Sequence, residues 1–282
     1  MATPGFSARL YLGGFPSIRV VLIGLVTAFA GYTAVYALND IVDYRTDKQR
    51  GDGTSDTSGK YLDAMMVRHP MAMGFLTFKQ GVLWALGWAL VAFMGAYLLN
   101  PVCVVIFLAG AALETAYCLL WRVSPWRAVV SGFVKNSGPV AALFAVDPHP
   151  SPFFTILLFL GLFFWEIGGQ NIPNDWADLE ADSRLKAKTI PVHLGASQAA
   201  RLALIALMLA TGLLVVLFYL SFPTSQGLAP LLAAVVGIAL LLMPGLRLYY
   251  AKSKRAAMAL FDRASHFPLA LLGLVLILVI IF

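Results

Sequence analysis

A short segment of this sequence places an asparagine and three aspartates at helical spacing. It runs from Asn39 to Asp47 and contains Asp40 and Asp43. At about 100° per residue, these side chains fall within an arc of roughly 100° on a continuous helix. Carboxylates crowded on one stripe repel one another and therefore need cations, and hard oxygen ligands of this kind suit Mg²⁺.

A second segment repeats this pattern, with Asn171, Asn174, Asp175, Asp178 and Asp182. Its three aspartates fall within roughly 60° on a helix, whereas Glu180 points to the opposite side. One acidic helix end is commonly only the solvated terminus of a membrane helix, but two copies on one side favour a shared site. Two facing stripes would hold two Mg²⁺ ions around one diphosphate, whose oxygens complete the metal shells.

The elements that must position these segments are transmembrane helices. Hydrophobic residues make up 60% of the chain and charged residues only 12%, against about 25% charged in soluble domains. The mean hydropathy is +0.81. We expect an all-α integral membrane protein, because uncharged stretches of about 20 residues must cross lipid as helices. The eight predicted spans are 20–38, 81–99, 102–120, 128–146, 153–172, 202–222, 228–246 and 266–282.

The basic residues predict the orientation of these spans. Seventeen of the 20 lysines and arginines follow odd-numbered spans; the exceptions are Arg9, Arg19 and Lys135. The positive-inside rule places that side, and both aspartate segments, in the cytoplasm, with both termini outside. The net charge of +6 then reflects topology and contact with membrane lipid, with no role for nucleic acid. We expect a single transmembrane domain over 1–282, with cytoplasmic loops near 39–80, 121–127, 173–201 and 247–265.

Several other polar residues are candidates for the site. Four lie on the cytoplasmic side near the aspartates, where each could neutralise a diphosphate or simply anchor the membrane surface: Arg45, Arg68, Arg122 and Lys188. Lys135, Glu114 and Glu166 are costly inside a bilayer and should face a cavity or one another. Lys135 could reach a substrate phosphate or an acceptor carboxylate. On a straight helix Glu166 lies 180° from Asp175, so we expect it away from the metal stripe.

The segments Asn39–Asp47 and Asn174–Asp182 resemble the two aspartate motifs of the UbiA-type intramembrane prenyltransferase superfamily. The similarity continues through Arg184, Lys188-Thr189-Ile190-Pro191 and Gly195, and Tyr117 to Arg122 resembles the tyrosine-to-basic motif of a middle helix. It covers about residues 20 to 200. The paired aspartate motifs are specific, whereas the tyrosine motif alone is weak.

The resemblance implies Mg²⁺-dependent transfer of a prenyl group from a polyprenyl diphosphate to an aromatic or lipid-precursor acceptor, in a central cavity open to the cytoplasm. It places the protein in a bacterial-type inner membrane. One metal would be held by Asp40, Asp43 and Asp47, and the other by Asp175, Asp178 and Asp182. Asn39, Asn171 and Asn174 would complete these shells. The residues expected at the reaction centre are Asp43, Asp178, Tyr117 and Lys135.

Two departures from the family pattern stand out. The family usually has nine spans, with a complete helix before the one bearing the first motif, whereas only 38 residues precede Asn39. Either that helix is missing, residues 6–17 partly replace it, or the true start lies upstream. In addition, Trp121 stands where the family often has lysine, so Arg122 is expected to take over the phosphate contact.

Two other functions remain open at this point. A phosphoribosyl transfer from phosphoribosyl pyrophosphate to a polyprenyl phosphate would use the same metal and diphosphate chemistry. A divalent-cation transporter would use the acids as an ion site, but it predicts polar residues on both membrane faces, and the opposite face is nearly free of them. The sequence does not identify the acceptor, the prenyl chain length or the oligomeric state.

Overall fold

A computed structural model of the chain describes residues 15–50 and 69–281, and every regular element in these ranges is helical. The helices are α1 Ile18–Arg50, α2 Phe78–Leu99, α3 Pro101–Leu119, α4 Arg127–Val146, α5 Pro152–Trp165, α6 Ile172–Ala177, α7 Leu179–Arg184, α8 Ile190–Ser221, α9 Leu228–Gly237, α10 Met243–Ala251 and α11 Lys254–Ile281. They form eight stretches that are long and apolar enough to cross a membrane.

All eight predicted spans are confirmed, but three helices extend well beyond them on the side of the basic residues. Helix α1 continues through Asn39 to Arg50, α8 begins at Ile190, and α11 begins at Lys254. The predicted ends followed the charges, whereas a helix can continue into water once its backbone is hydrogen-bonded. Most of the segment 6–17 lies outside the described residues.

Local sequence signals set several helix starts. Thr77 and Gln80 form a reciprocal capping box at the start of α2. Asn100 ends α2 and begins α3, where its side chain accepts a hydrogen bond from the Val102 amide. These side chains satisfy amide groups that the first helical turn leaves without partners. A tight turn at Asn100-Pro101 therefore joins α2 to α3.

The helices pack as two groups around a central space. Helix α1 packs along α2 and also against α3, and α3 packs along α4. On the other side, α5 packs against α8, and α8 packs against α9 and α10. Buried side chains of this second group, including Leu207, Leu241 and Phe267, form the apolar core. Both aspartate segments lie on the walls of the space between the groups.

A π-helical turn, Glu166–Asn171, joins α5 to α6 and brings neighbouring helices close. A Cβ atom on Gly168 would lie 2.7 Å from the carbonyl oxygen of Ala203 in α8. A Cβ atom on Gly169 would lie 2.8 Å from the Cβ atom of Ala264 in α11. Both glycines are thus required by close packing at the turn that precedes the second aspartate segment.

Replacing Gly168 by alanine is expected to destabilise the protein by about 1–3 kcal/mol, because a backbone carbonyl cannot move aside as a flexible side chain can. The thermal midpoint in detergent should fall measurably. Gly212→Ala is the matched control, since a Cβ atom there meets nothing within 4 Å and alanine favours the helix. Equal midpoints for the two variants would contradict this account of the turn.

Candidate active site

One cavity of about 1220 Å³ between the two helix groups is lined by both aspartate segments. Helix α1 contributes Asn39, Asp40, Asp43 and Asp47, and the chain after α5 contributes Asn171, Asn174, Asp175, Asp178 and Asp182. Tyr117 of α3 and Lys135 of α4 line the same cavity. Glu180 is exposed and is not part of this wall, as its helical position predicted.

A histidine joins the first aspartate set. His69 Nδ1 lies 3.1 Å from Asp40 Oδ1 and 2.9 Å from Asp47 Oδ2. Burial opposes protonation of this ring, but the hydrogen bonds to the two carboxylates outweigh it and raise the pKa of His69 to about 9. The ligand atoms of Asp40, Asp47 and His69 all lie within 4.8 Å of one another, so a cation bound by all three would replace the proton on His69 Nδ1.

An arginine organises the second aspartate set. Arg127, at the start of α4, is buried, and its guanidinium lies 2.8 Å from Asp175 Oδ1. The same guanidinium lies 4.5 Å from the centre of the Tyr117 ring. Asn171 Nδ2 donates a hydrogen bond to the Tyr117 hydroxyl at 3.3 Å. The tyrosine motif on α3 therefore contacts the second aspartate segment directly.

The donor set of the cavity fits a hard divalent cation. Six aspartates and several amide oxygens line its aspartate end, which is the chemistry that Mg²⁺ selects. The Asn171 Oδ1 atom is buried and accepts no hydrogen bond from a described residue. A buried oxygen of this kind is costly unless a ligand completes it, so the site is suited to a bound cation or its water shell.

A second polar group lies deeper in the same cavity, formed by Glu114, Lys135 and Glu166; we call it the polar layer. Lys135 Nζ donates to the Tyr36 hydroxyl at 2.8 Å, and Glu166 Oε1 accepts from Ser131 at 2.7 Å. Glu114 Oε1 accepts from the Asn39 side chain at 2.7 Å, which links this layer to the first aspartate segment.

Glu166 faces the cavity, as expected for an ionisable side chain within a bilayer, although on a straight helix it would point 180° away from Asp175. The π-helical turn begins at Glu166 and shifts the helical register before Asp175, so Glu166 lines the cavity together with Asn171 and Asp175. A π turn adds one residue to the hydrogen-bonded loop. The side chains before the turn therefore point in a different direction, relative to those after it, than they would on a regular α-helix. Glycines at 168 and 169 are the only hint of this turn in the sequence.

The predicted basic residues do not lie on the described cavity wall. Arg45, Arg122 and Lys188 are exposed; Arg122 donates to the Gln49 side chain at 3.4 Å and contacts the Trp121 ring. Arg68 lies outside the described residues. Arg127 also lies on the cavity wall, although it was not predicted as a site residue, because its place among the basic residues that follow odd-numbered spans indicated only orientation.

Fold and cavity define a class: a helical membrane protein with one cavity that is lined by carboxylates at one end and by apolar side chains at the other. The chain belongs to the UbiA prenyltransferase family, whose model matches residues 2–272. It is thus an integral membrane prenyltransferase, and the family resemblance read from its aspartate motifs is confirmed. No curated protein sequence matches it.

Solved structures share this fold at low sequence identity. A UbiA homologue from Aeropyrum pernix K1 has a TM-score of 0.72 and 16% identity, with 96% of each chain covered. A digeranylgeranylglyceryl phosphate synthase has a TM-score of 0.67 and 16% identity, and the match covers 98% of this chain and 91% of that one. A UbiA homologue from Archaeoglobus fulgidus, bound to DMAPP and Mg²⁺, has a TM-score of 0.62 and 14% identity. The match covers 92% of this chain and 94% of that one.

Proposed function

We propose that this protein transfers a prenyl group from a prenyl diphosphate, held by Mg²⁺ between the two aspartate segments, to a hydrophobic acceptor. The observation that carries the proposal is the meeting of Asp40, Asp43 and Asp47 with Asp175, Asp178 and Asp182 on one cavity wall. Structures of a UbiA homologue from Archaeoglobus fulgidus with the same fold contain DMAPP and Mg²⁺ in one case and GPP and Mg²⁺ in the other, which supports this donor class.

The chemistry follows from the charges of the leaving group. The allylic C–O bond breaks, the diphosphate leaves with the bonding electrons, and the acceptor supplies the pair for the new bond and releases a proton. Bound Mg²⁺ would neutralise the charge that grows on the departing diphosphate. Arg127 positions Asp175, and Asn171 and Tyr117 hold each other in place at the same end of the cavity.

The prenyl tail is assigned to the apolar end of this cavity. Leu158, Leu162, Leu217, Phe218 and Leu271 line it, and they belong to helices of the second group. Leu158 lies 17 residues before Asp175, or about 25 Å along the helix axis. A hydrocarbon chain placed there is removed from water while its diphosphate stays at the cytoplasmic end, which the distribution of basic residues favours.

Binding of farnesyl diphosphate to the purified protein in detergent tests this proposal. Calorimetry should detect binding in Mg²⁺ that EDTA abolishes, because the carboxylates repel a free diphosphate. Phosphoribosyl pyrophosphate serves as the second ligand, since its diphosphate is similar but its ribose does not match the apolar end of the cavity. Preferred binding of phosphoribosyl pyrophosphate, or farnesyl diphosphate binding unaffected by EDTA, would refute the proposal.

A further inference from the structure

A second cavity of about 170 Å³ adjoins the first between α1, α2, α3 and α4. The two cavities share the wall residues Leu25, Ala28, Tyr32, Tyr36, Glu114 and Lys135. Beyond this shared wall the lining is almost entirely aliphatic or small, including Gly24, Ile106 and Ala142. We call this cavity the side pocket; Glu114 and Lys135 of the polar layer lie on the wall that it shares with the main cavity.

The polar layer lies at one depth on three different helices. Lys135 is eight residues from Arg127 on α4, Glu114 is eight residues from Arg122, and Glu166 is nine residues from Asp175. Each is therefore about 12 Å along its helix from the cytoplasmic end. Ionisable groups at such depth in a membrane protein mark a functional path, because their desolvation must be offset by a ligand or by one another.

The charged groups on the shared wall determine which substrate can occupy the side pocket. A prenyl tail that entered it from the main cavity would lie beside the Lys135 ammonium and the Glu114 carboxylate, whereas the apolar end of the main cavity presents it with leucine and phenylalanine. Hydrocarbon beside a charged group leaves that group desolvated without a partner. The side pocket therefore suits a molecule whose own polar group lies beside Lys135 and Glu114.

Size and charge narrow the class of that molecule. A volume of about 170 Å³ is close to that of an engineered cavity of about 150 Å³ that holds benzene. Two carboxyl groups already outnumber the single ammonium of the layer, so an incoming carboxylate would add unmatched negative charge. A hydroxyl adds none, and it can donate to a glutamate oxygen and accept from Lys135.

Resting on the proposed function, we infer that the side pocket is the acceptor site. It takes a neutral, hydroxyl-bearing molecule about one ring in size, with the hydroxyl at the polar layer and the apolar body between α1 and α4. Lys135 then determines acceptor specificity and does not contact the diphosphate. The hydroxyl end of the acceptor faces the main cavity, where the reactive carbon of the prenyl donor lies.

A binding experiment without donor tests this inference. Methyl 4-hydroxybenzoate and 4-hydroxybenzoate differ only in the carboxylate, so they report the charge preference of the site. We expect the wild-type protein to bind the neutral ester at least about tenfold more tightly, and Lys135→Met to weaken ester binding about 10- to 100-fold. Farnesyl diphosphate binding in Mg²⁺ should be unchanged in the same Lys135 variant.

Gly24→Leu tests the pocket without altering its charges. A Cβ atom at Gly24 meets nothing within 4 Å, so leucine fills the pocket without a clash at its first atom. Ester binding and transfer from farnesyl diphosphate should fall at least about tenfold, with Mg²⁺-dependent donor binding retained. Gly87→Leu on α2 is the matched control, because Gly87 is exposed and equally unhindered and lines neither cavity.

The outcomes separate this inference from the proposed function. If farnesyl diphosphate binds the wild type but the ester does not, the acceptor assignment is overturned and the proposed function stands. If Gly24→Leu weakens donor binding and leaves ester binding intact, the pocket holds the prenyl tail and the inference is overturned. If the ester binds and no prenyl diphosphate does, the proposed function fails, and the acceptor assignment fails with it.

Discussion

Replacing Asp43 or Asp178 by asparagine is expected to lower prenyl transfer at least about 100-fold. Each side chain lines the cavity in the middle of its aspartate segment, and asparagine keeps the size of the side chain while removing its charge. The lost charge weakens the hold on Mg²⁺, and with it the neutralisation of the diphosphate. Transfer of radiolabelled farnesyl groups and calorimetric donor binding should fall together in both variants.

Glu180→Gln is the matched control for these two substitutions. Glu180 lies in the same segment as Asp178, and it is exposed and not on the cavity wall, so its variant should keep wild-type transfer within about twofold. Equal losses in all three variants would point to a general effect of acidic charge at the membrane surface. Full transfer by the double variant Asp43→Asn/Asp178→Asn would exclude the two-segment metal site altogether.

The fold could be predicted from the sequence because a chain that crosses lipid must satisfy its own backbone hydrogen bonds. Eight apolar stretches had to be helices, and the spacing from Asn39 to Asp47 placed its acids on one stripe of a helix that does continue to Arg50. The meeting of the two segments also followed, since both come after odd-numbered spans. Membrane sidedness and periodicity were sufficient for these features, and neither requires knowledge of side-chain packing.

Features that depend on packing between helices were not accessible. The π turn at Glu166–Asn171 changes the register of Glu166, and it depends on how closely α8 and α11 approach Gly168 and Gly169. His69 joins Asp40 and Asp47 from a separate part of the chain, at no helical spacing from them. Such contacts are fixed by tertiary structure, so no local periodicity in the sequence indicates them.

The basic residue at the site could not be predicted from the sequence either, because it too depends on packing between helices. Trp121 occupies the place of a family lysine, and its neighbour Arg122 was the expected replacement. In the structure Arg122 is exposed, while Arg127, six residues after Trp121, reaches the cavity wall and pairs with Asp175. The turn between α3 and α4 reverses the chain, so a residue farther along it returns to the site.

Arg127→Met is therefore expected to be the more damaging of the two arginine substitutions. It leaves Asp175, which is only 3% exposed, without its guanidinium partner, and breaking a buried ion pair from one side costs about 3–5 kcal/mol. We expect a lower thermal midpoint and at least about 100-fold less transfer. Arg122→Met should have a smaller effect, and Arg247→Met, at an exposed position off the cavity, controls for lost positive charge.

A double-mutant cycle separates a structural role of Arg127 from a role in organising the metal site. In the Asp175→Asn background, Arg127→Met leaves no carboxylate that has lost its guanidinium partner, so most of the stability loss should disappear. Transfer should stay low in the double variant, because Asp175 is itself proposed to hold a metal. Arg127→Lys keeps the charge but loses the planar fork, and it should restore stability more than transfer. Wild-type transfer in Arg127→Met, from protein shown to be folded, would exclude this arginine from the working site.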